Sequence, residues 1–131
     1  MLEQVKEIAQ GLRYSRHLGF ELVEAGTNRA VLRLPYAEHL GIGRVNGGAI
    51  SSLVDTAATC AFWSHDDAGE QSRGATVGFS INYLKLAVRE DLWAHATVRR
   101  RGGSICVGDV SVRNADDDEI AIAVVTYKLN P

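Results

Sequence analysis

The stretch from Ala49 to Phe62 is built from small and apolar residues with one exception, Asp55, the only charged residue between Ala49 and Ser64. A carboxylate in such a run is costly unless it is paired, neutralised or used. Two glycines, Gly47 and Gly48, open the same segment just after Asn46. Glycine lets another group come close to the backbone. At about 100° per residue, Ile50, Leu53, Val54, Ala57, Ala58 and Ala61 share one broad face. Gly48, Ser52, Asp55 and Thr59 form the opposite stripe. The segment Gly47 to about His65 therefore reads as one long helix, ended by Asp66-Asp67-Ala68-Gly69. Free N–H groups at its start and a carboxylate farther along suggest chemistry on a carbonyl.

The flanking sequence is short-period. Leu2 to Arg16 reads as an amphipathic helix with Val5, Ile8, Ala9 and Leu12 on one face. Phe20–Glu24 and Arg29–Leu34, separated by Gly26-Thr27-Asn28, read as a hairpin. Pro35 to Val45, with Gly41 and Gly43, is a loop. Four strands follow: Ala75–Lys85, Leu92–Arg101, Ser104–Arg113 and Glu119–Leu129. In the first, Val77, Phe79, Ile81 and Tyr83 alternate with Thr76, Gly78, Ser80 and Asn82. Gly102-Gly103 and Asn114 to Asp118 make the later turns. The expected fold is α+β: a curved antiparallel sheet of about six strands wrapped around one central helix, as a single domain over residues 1–131.

With 131 residues, a net charge of −2 and 46% hydrophobic residues, the chain has room for a core and no basic footprint for nucleic acid. No stretch reaches the roughly 20 apolar residues that span a membrane. The first residues lack the apolar segment of a secretory signal, so a cytoplasmic location is expected. Cys60 and Cys106 do not have the spacing of a disulfide framework. His17, His39, His65 and His95 are scattered, so neither a metal nor another cofactor is expected.

Helix geometry constrains the chemistry further. The seven residues from Gly48 to Asp55 rise about 10.5 Å. Groups acting on one carbonyl must lie about 3 Å from it. Gly47 and Asp55 of one chain therefore cannot serve the same carbonyl. Two antiparallel copies of the helix across a two-fold axis would bring Gly47 of one close to Asp55 of the other.

The Asn46-Gly47-Gly48…Asp55 element, in this order of helix and strands, resembles that of the hotdog-fold acyl-CoA thioesterases, in particular the PaaI-like (phenylacetic acid degradation) branch. Ser80-Ile81-Asn82-Tyr83-Leu84-Lys85-Leu86-Ala87 is similar to that family's strand ending Asn-Tyr-Leu-Arg-Pro-Ala. Arg99-Arg100-Arg101-Gly102-Gly103 is similar to its basic strand end. Two positions depart: Asn46 stands where His is common, and Leu40 stands where some members carry Asn.

The resemblance implies hydrolysis of a medium-chain or aryl acyl-CoA to acid and CoA, in a homodimer or dimer of dimers. It makes Gly47 the residue whose N–H polarises the thioester carbonyl. Asp55 becomes general base or nucleophile, and Thr76 helps place the water or the carboxylate. Asn46 either orients substrate or caps the helix. Gly48, His39, Asn82 and Tyr83 are candidate substrate contacts, and Lys85 and Arg101 candidate phosphate contacts. Each has a plainer reading: a glycine turn, an Asp paired with Ser51, Ser52 or Thr59, a surface histidine, a solvated charge. The competing function is a non-catalytic acyl-CoA or lipid-like ligand binder. A dehydratase lacks its motifs here, and Ser51 lacks the surroundings of a serine nucleophile.

Overall fold

The computed structural model describes residues 1–130. Its elements run α1 Leu2–Lys6, α2 Arg13–Leu18, β1 Glu21–Gly26, β2 Arg29–Leu34, α3 Gly47–Trp63, β3 Arg73–Tyr83, β4 Leu92–Arg101, β5 Ile105–Arg113 and β6 Glu119–Asn130. The six strands form one sheet in the order β1-β2-β4-β5-β6-β3, with every pair antiparallel. The fold is the expected α+β arrangement.

The helix α3 touches all six strands. A flat six-stranded sheet is about 24 Å wide, more than twice the girth of a helix. The sheet must therefore curl around α3, which is the hotdog fold. Leu53, Val54, Ala57 and Phe62 on α3 are fully buried, as are Leu32, Leu92, Val112 and Val125 on the strands. Each large side chain buried this way contributes about 1.5–3 kcal/mol. The stripe of Ser52, Asp55 and Thr59 stays half-buried and Gly48 exposed, so the polar face of the helix is only partly covered.

The N-terminal helix is not continuous. Residues Glu7–Gly11 form a π-helical turn closed by the Leu12 N–H on the Glu7 carbonyl at 3.2 Å. Leu12 is then extended before α2 begins. The expected face holds for Val5 and Ala9, which are buried, but Leu12 is 50% exposed. Gly11, a poor helix former, sits where the regular pattern fails. The Gln10 side chain also accepts from the Leu22 N–H at 2.8 Å, tying this turn to β1.

The two edges of the sheet differ. The edge strand β1 is short, is interrupted by a bulge between Leu22 and Glu24, and carries ion pairs Arg29–Glu24 and Arg33–Glu21. Such devices block edge-to-edge pairing. The other edge, β3, is 11 residues long and carries exposed Val77 and Phe79. Among the described residues, no helix is long and apolar enough to cross a membrane.

Candidate active site

The start of α3 is fixed from the loop before it. Asn46 is extended; its N–H donates to the Leu40 carbonyl at 2.7 Å, and Val45 N–H donates to the Ala87 carbonyl at 2.9 Å. Asn46 Oδ1 accepts from the Gly48 N–H at 2.7 Å, so Asn46 is the N-cap. Its carbonyl accepts from Ala49 and Ile50 at 3.0 and 3.1 Å. Of the first-turn donors, only the Gly47 N–H is without a protein acceptor among the described residues. An open N–H at a helix N-terminus suits a developing oxyanion.

Tyr83 closes onto the same turn, its hydroxyl donating to the Gly47 carbonyl at 2.8 Å. A Cβ on Gly47 would sit 3.3 Å from the Tyr83 ring, a tight contact that the ring would have to yield to. A cleft of about 650 Å³ opens here, lined by Ile42, Arg44, Asn46, Gly47, Tyr83, Lys85 and Leu86 among others. Ile42, 98% exposed, and Leu86 form an apolar lip around two cations.

Asp55 lies two turns farther on. Thr76 Oγ1 donates to Asp55 Oδ1 at 2.7 Å, and no donor within the described residues reaches Oδ2. Thr59 Oγ1 bonds the Asp55 backbone carbonyl at 2.8 Å, and Ser51 and Ser52 both bond Gly48 O. Those three hydroxyls are therefore not the carboxylate's partners. Strict alternation along β3 puts Thr76 on the outer face, with Gly78, Ser80 and Asn82. A β-bulge reverses it: Thr76 pairs with Tyr127, whereas Gly78 pairs with Thr126. The extra residue, Val77, swings Thr76 onto the helix side.

Next to this pair, Tyr127 stacks on Phe62 with ring centroids 5.0 Å apart and accepts a bond from Trp63 Nε1 at 2.9 Å. Burial raises the Tyr127 phenol above its ordinary pKa, and the nearby charge of Asp55 pushes the same way, against the Trp63 bond. Cys60, on the buried face of α3, is pushed up to about 12 by burial and stays a thiol.

The structure thus brings Asn46, Gly47, Gly48, Tyr83 and Lys85 to one end of α3, and Asp55 and Thr76 to its middle. Three expected contacts lie elsewhere. Asn82 faces the outer side of the sheet, in a depression it shares with Ser80 and His95, because its parity is opposite to that of Tyr83. The Arg101 guanidinium bonds Asn28 Oδ1 and the Phe62 carbonyl, at the C-terminal end of α3. His39 bonds the His17 carbonyl at 2.8 Å and meets the His17 ring edge-on, propping the loop rather than lining the cleft. Lys85 lines the cleft, but its ammonium is held by Asp118 at 2.5 Å, which keeps its pKa above the ordinary value. Arg44 was not singled out from the sequence. Its signal is a lone cation two residues before the N-cap.

The profile of the thioesterase superfamily matches residues 42–121, a span that runs from the cleft through Asp55 and Thr76 into β6. The chain belongs to that family. A Halobacterium salinarum protein named as an esterase is 32% identical over 123 residues, covering 86% of this chain and 81% of its own length. The E. coli PaaI protein of the phenylacetic acid degradation operon superposes with a TM-score of 0.78 at 23% identity, over 88% of this chain and 82% of that one. A Streptococcus pneumoniae thioesterase solved with coenzyme A gives a TM-score of 0.76 at 22% identity, over 85% and 88%. At these identities the two structures speak for the fold.

Proposed function

We propose that this chain hydrolyses a medium-chain or aryl acyl-CoA thioester to the free acid and CoA, at a site made by two copies of the chain. One observation carries the reading: the open Gly47 N–H and the Thr76-held Asp55 sit on the same helix, eight residues apart. That is a rise of about 12 Å, too far for both to act on one carbonyl within a chain. The long free edge of β3 supports a second copy. Antiparallel pairing of β3 with its symmetry mate would turn the two α3 helices antiparallel, the orientation in which Gly47 of one can face Asp55 of the other.

In this arrangement the thioester oxygen receives the Gly47 N–H and the positive end of the helix. Asp55 Oδ2 takes the proton of a water that attacks the carbonyl carbon, or attacks that carbon itself to give an anhydride that water then opens. In both routes the C–S bond breaks, the thiolate of CoA takes up a proton, and a carboxylic acid remains. Thr76 orients the carboxylate by occupying Oδ1. Arg44 at the cleft suits the CoA phosphates, and the coenzyme A held by the S. pneumoniae neighbour is consistent with such a ligand.

The test is complementation. Asp55→Asn and the bulkier Gly47→Val, whose branched side chain fills the space in front of the N–H where Gly47→Ala only crowds it, are each expected to be inactive alone. They are mixed, unfolded and refolded together, and thiol release from acyl-CoAs is followed. Each mixed dimer then contains one intact site, and activity should return. No recovery, with mixed dimers demonstrated, overturns the shared site. Tight acyl-CoA binding without turnover by the unaltered protein would instead establish the ligand-binding alternative. Label found in Asp55 after a single turnover in heavy-oxygen water establishes the anhydride route with water attacking the aspartyl carbonyl, since a general base keeps its own oxygens.

A further inference from the structure

Tyr14 on α2 reaches the polar stripe of α3, where its hydroxyl lies 2.7 Å from Ser52 Oγ. Ser52 already donates its proton to the Gly48 carbonyl at 2.9 Å, so Tyr14 is the donor to Ser52. The break at Leu12 is what turns α2 so that Tyr14 reaches α3. The tyrosine is 60% exposed, so its ring is hardly used by the core of the single chain.

Its position along the helix gives it a role. If Gly47 of one copy faces Asp55 of the other, the two-fold axis passes at residue 51, and Ser52 stands beside it. Each carbonyl position is then about 6 Å along the helix from the axis. The cleft has its mouth at Ile42, Arg44 and Lys85, ahead of the N-terminus of α3, and runs past Gly47 to Ile50, towards the axis. CoA entering from that cleft points its acyl group towards the axis, and so towards Ser52 and Tyr14.

We infer that Tyr14, tethered by Ser52, is the end wall of the acyl pocket and limits it to groups about 6 Å long, which narrows the substrates proposed above to aryl thioesters and the shortest of the alkyl ones. The inference rests on the hydrolase reading above. Tyr14 determines specificity without taking part in bond breaking.

The experiment compares kcat/KM for benzoyl-CoA, hexanoyl-CoA and dodecanoyl-CoA in the full chain and in Tyr14→Ala, Tyr14→Leu and Ser52→Ala. Opening the wall should raise the dodecanoyl-to-benzoyl ratio by roughly tenfold or more in Tyr14→Ala, since a few methylenes are worth that much in an apolar pocket. Tyr14→Leu, which keeps an apolar contact if alanine unfolds the chain, should shift the ratio in the same direction. Ser52→Ala frees the ring and should give a smaller shift. A ratio unchanged in folded Tyr14 variants overturns the role of Tyr14 and leaves the hydrolase intact. No turnover of any thioester by the unaltered chain overturns the hydrolase and this inference with it.

Discussion

Thr76 Oγ1 donates to Asp55 Oδ1 at 2.7 Å across the sheet–helix interface, leaving the second carboxylate oxygen for a water or a carbonyl carbon. If that oxygen carries the chemistry, Asp55→Asn should lower kcat by about a hundred- to ten-thousand-fold with little change in KM. Thr76→Ala should cost roughly ten- to a hundredfold, the worth of one hydrogen bond to a charged group, and Thr76→Ser should recover most of it. Thiol release at saturating acyl-CoA gives all three values. Equal rates for Asp55→Asn and the parent would remove Asp55 from the reaction.

The Gly47 position tests the other half of the site. A methyl group there would press on Tyr83 Cζ at 3.3 Å and on the hydroxyl at 3.4 Å, and Tyr83 also holds the Gly47 carbonyl. Gly47→Ala should therefore lower kcat/KM by about tenfold, while the fold, whose core lies on the opposite face of α3, loses about 1 kcal/mol or less. Tyr83→Leu should relieve part of the loss, so the two substitutions will be non-additive in a double-mutant cycle.

The parts legible in the sequence are those that local rules govern. Helix periodicity marks α3 because its apolar face packs continuously, and glycine spacing with one stranded carboxylate marks Gly47 and Asp55. Thr76 is different: alternation puts it on the outer face, and only the bulge at Val77, set by pairing with β6, turns it inward. Asn82 and Arg101 show the same limit. A residue's place in a motif says nothing of which face of the strand it occupies, or which helix end it reaches. The Tyr14–Ser52 contact spans 38 residues and depends on the π-helical turn, which no period-3.6 pattern announces.

Arg101 provides a stability test that follows from its position. Its guanidinium bonds Asn28 Oδ1 through two nitrogens and satisfies the Phe62 carbonyl in the last turn of α3. Arg101→Ala leaves that carbonyl and Asn28 without their partner and should destabilise the fold by about 2 kcal/mol in urea titration. KM for acyl-CoA should stay within about twofold of the parent, because the cleft lies at the other end of α3. A large rise in KM with stability unchanged would return Arg101 to phosphate binding.

Asp91 should make stability depend on pH. Its carboxylate accepts the Tyr36 backbone N–H at 2.8 Å and pairs with Arg33 at 2.6 Å. Those two interactions, the backbone bond first, hold Asp91 below the usual carboxylate range, and the same pair raises Arg33 above its ordinary value. Because the folded pKa is the lower one, the unfolded chain binds the proton first as pH falls. The stabilisation is therefore full above the unfolded value of about 3.9 and is lost as pH drops through the folded one. Asp91→Asn cannot ionise, and the partly exposed pair it breaks is screened by solvent, so the cost near neutral pH should be about 1 kcal/mol. Thermal melts of both proteins between pH 7 and about pH 3 should show a constant gap above roughly pH 5 that narrows below about pH 4. A gap that stays constant to the lowest pH at which both proteins fold would mean that Asp91 contributes through packing and not through its charge.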